Sequence, residues 1–289
     1  MAKIDFIGIG APKCGTTWLS AQLEAHPQIG FAPAKEVYYF ADTIMRRIAG
    51  SELNCFARGE AWYHEQFPRL SGGVTSRGEF CPSYLYLDEA ADRIKSYHPD
   101  VKLLLCLRPP VEMIYSWYWY GRNAVIASMP KTFAEMMEDP FLRDIGCFAR
   151  HLRPYLERFP VENFLVVQFD AIRRAPEEVR RAVYEFLKVD PSFEPQLEKG
   201  QNAARAPRFP LLQSSAQKIY GGVSALPGVG RILRSPTVAK SLESVYHRFN
   251  SKAQKYEPLS TEGRAKWEAY YAADQEELAQ QLRGLRVIA

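Results

Sequence analysis

Lys13, Gly15, Thr16 and Thr17 fall within one short stretch, Gly10-Ala-Pro-Lys-Cys-Gly-Thr-Thr17. An apolar run, Ile4-Asp-Phe-Ile-Gly-Ile9, precedes it, and a helical pattern with Leu19 and Leu23 on one face follows. A turn between a buried strand and a helix suits a phosphate. The first N–H groups of a helix have no intrahelical partner, and the helix dipole is positive there. Gly15 lets the backbone approach the anion, the threonines add hydroxyl donors, and Lys13 brings a full charge. The spacing is not Walker A, which sets lysine directly after the second glycine. Here Lys13 precedes Gly15 by two. The clearest strand, Val101 to Leu107, ends in Arg108, where a P-loop triphosphatase would supply a magnesium-binding Asp. The residues describe an anion site neutralised by protein cations, with no metal.

At this point a family resemblance enters. Pro12-Lys-Cys-Gly-Thr-Thr-Trp-Leu19 is similar to the 5′-phosphosulfate loop of sulfotransferases that use 3′-phosphoadenosine 5′-phosphosulfate (PAPS). The resemblance implies that Lys13, Cys14, Gly15, Thr16, Thr17 and Trp18 hold the nucleotide. Leu104-Leu-Cys-Leu-Arg-Pro-Pro-Val-Glu-Met-Ile-Tyr-Ser116 looks like the family's second signature, which implies that Arg108 and Ser116 bind the 3′-phosphate. Lys199-Gly-Gln-Asn-Ala-Ala-Arg-Ala-Pro-Arg208 resembles the basic loop over the nucleotide and departs from its Arg-Lys-Gly form, so Asn202, Arg205 and Arg208 are candidates.

Sulfuryl transfer to a hydroxyl needs a general base. The Lys-Thr-His segment of the cytosolic branch is missing. Lys35-Glu-Val-Tyr-Tyr-Phe40 instead resembles the Glu-Val-His-Phe-Phe stretch of the heparan sulfate and carbohydrate branch, which implies Glu36 as the base. The aromatic run Tyr38-Tyr39-Phe40 reads as core. Gly78-Glu-Phe-Cys-Pro-Ser-Tyr84 is similar to the family's Gly-Glu-Lys-x-Pro-x-Tyr, with Phe80 in place of a lysine. The implied activity is transfer from PAPS, releasing 3′,5′-adenosine bisphosphate, to a hydroxyl of a carbohydrate, lipid or small metabolite. Two rivals stay open: a nucleotide kinase or NTPase, and a catalytically silent nucleotide-binding protein.

Several elements must position these residues. Strands are expected at 4–9, 29–31, 78–85, 101–107 and 163–169. Helices should follow from Thr16, Pro110 and Pro176, over 145–159, and from Thr261 to about Leu285. Strands alternating with helices predict an α/β three-layer sandwich with a mainly parallel sheet, P-loop-like in its nucleotide binding. A single domain of 1–289 is expected, its nucleotide core at about 4–210 and an acceptor or helical region at about 211–289. Residues 219–238, rich in Gly and Pro, read as an excursion with three open uses: cover for an apolar acceptor, a homodimer contact, or packing.

A chain 47% hydrophobic and 24% charged fills a core, which excludes a disordered tail. The net charge of +4 suits an anion site and is too weak for a nucleic-acid binder. Arg173-Arg174 and Arg180-Arg181 are interrupted by Glu177 and Glu178 and read as a solvated face. Five scattered cysteines without C-x-x-C fit a reduced, cytoplasmic chain, and five histidines show no metal-ligand spacing. Neither a secretory leader nor an apolar run long enough to span a membrane is expected.

Overall fold

Phe6-Ile-Gly-Ile-Gly10 is buried at every position, as a strand covered on both faces must be. This is β1 of the computed structural model, which describes residues 3–32, 36–41, 55–67, 72–123, 129–196 and 257–289, with 205–207 and 251–253 by their backbone. It pairs in parallel with β3 (Ser76–Phe80) on one side and β4 (Lys102–Leu107) on the other. β2 (Ile29–Phe31) lies outside β3, while β5 (Phe164–Gln168) and β8 (Arg286–Ile288) extend the sheet beyond β4. The order is β2-β3-β1-β4-β5-β8, all parallel.

Between the strands run α1 (Thr16–Ala25), α2 (Gly59–Glu65), α3 (Asp88–Tyr97), α4 (Pro110–Asn123), α5 (Phe133–Glu138), α6 (Pro140–Asp144), α7 (Phe148–Arg158), α8 (Phe169–Arg174) and α9 (Pro176–Leu187). A short antiparallel pair, β6 (Arg205–Pro207) and β7 (Ser251–Ala253), precedes α10 (Thr261–Leu282). The parallel α/β expectation is met.

Leu103, Leu104, Leu105, Val166 and Val167 have no exposed surface. Fully burying each such side chain stabilises the fold by about 1.5–3 kcal/mol, so the adjacent β4 and β5 anchor the sheet. Gly8 is a glycine for space: a Cβ there would sit 2.2 Å from the Phe80 ring on the neighbouring strand. The phenylalanine that replaces the family lysine is therefore core, and supplies no charge.

The last strand was not expected. Thr261 to about Leu285 reads as one helix, but α10 stops at Leu282 and Arg286–Ile288 pair with Leu165–Val167. Three residues are too few for an alternating pattern to register. The helix expected over 145–159 begins at Phe148, because Asp274 of α10 accepts from the N–H groups of Ala149 and Arg150 (3.2 Å each).

The chain divides into two compact units, one of 1–114, 144–202 and 261–289 and one of 115–143 and 203–260. Within the second, Phe133 packs edge-on against Tyr115, and Thr132 and Glu135 form a capping box at the start of α5. No described helix is long and apolar enough to cross a membrane. Asn202, Arg208 and the 219–238 excursion lie outside the described residues; Arg205 opens β6 and is described by its backbone.

Candidate active site

In an open parallel sheet, ligands bind beyond the carboxyl ends of the strands where the strand order reverses. β1 holds that place: the chain reaches β2 and β3 on one side of it and crosses to β4 on the other. The turn after β1 carries Lys13, Cys14 and Gly15 into α1. Lys13 (φ +63°) and Gly15 (φ +91°) are both left-handed. At Gly15 a side chain would be both strained and crowded, since a Cβ would lie 2.6 Å from Ile172 Cδ1 and 3.1 Å from the Phe169 ring. The turn is tied to the next strand by Ala11 N–H donating to Cys106 O at 2.8 Å.

Cys14 is fully buried, and the backbone N–H of Arg108 donates to its sulfur. Burial pushes its thiol well up and the neighbouring Cys106 adds to this, against the charges of Arg108 and Lys13. It stays a thiol that packs, not a nucleophile. Thr16 is buried, Thr17 is exposed, and Lys13 and Trp18 are half-buried.

Arg108 leaves the end of β4 half-buried. Its Nε and Nη2 donate to Glu112 Oε2 at 3.2 and 3.1 Å, and its guanidinium lies 4.6 Å from the centre of the Phe169 ring. Glu112 is also 3.7 Å from Arg264 in α10. Neither Glu112 nor Phe169 stands out in the sequence. Phe169 touches both the Gly15 turn and Arg108, linking the two cationic elements through one ring. Ser116 lies half-buried in α4, in the second unit.

Glu36 follows β2. Its backbone (φ +69°) and that of Tyr38 (φ +57°) are left-handed, a conformation costing about 1–3 kcal/mol for residues other than glycine. Three contacts to the end of β3 hold this strap. Val37 N–H donates to Glu79 Oε2 (3.3 Å), Tyr38 N–H to the Cys81 sulfur, and the Ser83 hydroxyl bonds the Tyr38 oxygen. Tyr38 OH donates to Glu36 Oε2. Tyr39 and Phe40 are buried as expected of core, but Tyr38 is half-buried and engaged with the acid. Lys35 lies outside the described residues.

Glu79 is a buried carboxylate that sequence reasoning passed over. It is 0% exposed, and Tyr63 and Tyr84 donate to its Oε1 at 2.8 and 2.9 Å. Burial pushes its pKa up from 4.5 to about 7; bonds from Tyr63, Tyr84 and Val37 act the other way, and the Glu36 charge adds to the rise. Between these two values the folded chain binds more protons than the unfolded one. The stability from this group is complete below pH 4.5 and is lost as pH rises through about 7. Thermal scans of the wild type against Glu79→Gln are expected to show the wild-type advantage shrinking across that window; parallel Tm curves would contradict it.

Among the described residues no group of three or more His, Cys, Asp or Glu could hold a metal ion. The arrangement is a left-handed, lysine-bearing turn at a helix N-terminus, tied to a strand ending in arginine. On the same edge of the same sheet an acid is held on a strained strap.

Residues 3–205 match the family described as sulfotransferase domain. Over 97% of its length the chain is 26% identical to bifunctional heparan sulfate N-deacetylase/N-sulfotransferase 3 of Mus musculus, covering 30% of that protein. Over 62% it is 31% identical to heparan sulfate glucosamine 3-O-sulfotransferase 3B1 of Mus musculus, covering 44%. The chain thus spans less than half the length of these curated relatives. Among solved structures, a sulfotransferase from Alicyclobacillus acidocaldarius superposes with a TM-score of 0.57 at 26% identity, over 86% of this chain and 97% of that one.

Proposed function

Because the chain belongs to the sulfotransferase domain family, an enzyme family, we propose that it moves the sulfuryl group of PAPS to a hydroxyl of an acceptor. The observation that carries this reading is the turn of Lys13 to Gly15 at the start of α1, bonded through Ala11 to the strand that ends at Arg108. Helix N–H groups and two cations suit a donor bearing phosphate at both ends of its ribose. The donor is a substrate here, and these residues fit its charge.

The chain's own groups divide the work. Backbone N–H groups from Gly15 to Thr17 and the Lys13 ammonium hold the 5′ phosphosulfate. Arg108 takes the 3′-phosphate in exchange for Glu112, which then has Arg264 to turn to. Glu36 receives the proton of the acceptor hydroxyl as its oxygen bonds to sulfur. The bond from sulfur to the bridging oxygen breaks, and that oxygen leaves with adenosine bisphosphate, its charge met by Lys13. Nothing covalent forms with the enzyme. Catalysis is positioning and preorganised charge.

Relatives named for heparan sulfate favour a carbohydrate acceptor. The test is a transfer assay with sulfur-labelled PAPS, carbohydrate acceptors and EDTA. Labelled sulfate on the acceptor, undiminished by the chelator, is the expected result. Transfer of phosphate that requires magnesium would replace this reading with a kinase.

A further inference from the structure

We infer that Glu79 is a positioning residue that fixes Glu36 for proton transfer through the N–H of Val37. This rests on the reading of Glu36 as the base. Two observations carry it. Glu36 and Tyr38 flank Val37 in left-handed backbone, so the strap relaxes unless its surroundings hold it. The carboxylate that receives the Val37 N–H is buried completely and gripped by two tyrosine hydroxyls. It is shut off from bulk solvent. Tyr63 is itself fully buried, stacked 4.6 Å from Tyr39 on the same strap. Tyr84 comes from the 3₁₀ turn directly after β3, and its carbonyl accepts from Tyr155 of α7. Glu79 thereby refers the position of Glu36 to the sheet and to two helices.

A carboxylate at this depth is a costly way to satisfy one N–H and two hydroxyls. The alternative of a purely structural hub predicts losses spread over folding, nucleotide binding and turnover alike. Positioning predicts a loss in turnover with nucleotide affinity kept, and only while Glu36 is present to be positioned.

Glu79→Met keeps the length of the side chain and removes every acceptor. Turnover is expected to fall about 10²-fold, the order that a misplacement of about 1 Å costs, with the Kd for adenosine bisphosphate unchanged. Glu79→Gln recovers most of that loss, because the flipped amide accepts from Val37 and donates to both tyrosine oxygens. In a Glu36→Gln background Glu79→Met is expected to cost nothing further. If Glu36→Gln turns over like the wild type, the base reading falls and this inference with it. If Glu36→Gln is slow and Glu79→Met slows it another hundredfold, the base stands and the positioning role falls. Should Glu79→Met fail to fold, Tyr63→Phe serves in its place. It removes one of the two bonds on Oε1, with an expected loss of about fivefold in turnover that vanishes in the Glu36→Gln background; a loss that persists there overturns the inference.

Discussion

Glu36→Gln is expected to lower kcat by about 10²–10⁴-fold, the usual worth of a positioned general base, while adenosine bisphosphate binds as before. The substitution is nearly isosteric, and the amide oxygen can still accept from Tyr38 OH, so the left-handed strap keeps its shape. What is lost is the ability to take a proton. In the proposed reading the nucleotide is held by groups on other elements, the β1 turn and the end of β4. Steady-state kinetics on a carbohydrate acceptor give kcat, and calorimetry gives the Kd. A fall in both together would mean that Glu36 shapes the binding site; wild-type kcat would remove it as the base.

The parts of this site readable from sequence are those built from residues close in the chain. The turn at Gly10–Thr17 announces itself because strand, glycine, lysine and helix lie within a few positions. Arg108 is legible because the apolar run of β4 ends on it. Both signals are local, and both fall at the carboxyl ends of strands, where ligands bind in a parallel sheet.

The supports for these residues are another matter. Glu79 accepts from Val37, Tyr63 and Tyr84, and the first two come from 42 and 16 positions away. Within Gly78–Tyr84 a glutamate in a strand looks like an ordinary surface residue; only the pairing of β3 between β1 and β2 buries it. Glu112 reads as an acidic residue in a first helical turn, which the dipole alone would justify. Its proximity to Arg264 needs the fold. A helix over 145–159 reads three residues too early at its start for the same reason, since Asp274 on another helix caps α7.

Lys13→Met should cost about 10²–10³-fold in kcat, the range for removing one preorganised donor from developing negative charge. Methionine keeps an unbranched stem and occupies left-handed backbone at the same strain as lysine, so the turn around Gly15 survives the exchange. Affinity for adenosine bisphosphate is expected to weaken much less, about tenfold, because helix N–H groups and Arg108 still bind the phosphates. The inequality follows from where the charge is needed. In bound PAPS the bridging oxygen is shared between phosphorus and sulfur and carries little charge; as the sulfur bond breaks it takes up most of one. An ammonium beside it therefore does more for the departing state than for the ground state. Single-turnover rates set against calorimetric Kd values separate the two contributions. A variant that loses affinity a hundredfold but turns over normally when saturated would confine Lys13 to holding the donor, and the leaving oxygen would then be stabilised by the N–H groups of Gly15 to Thr17 alone.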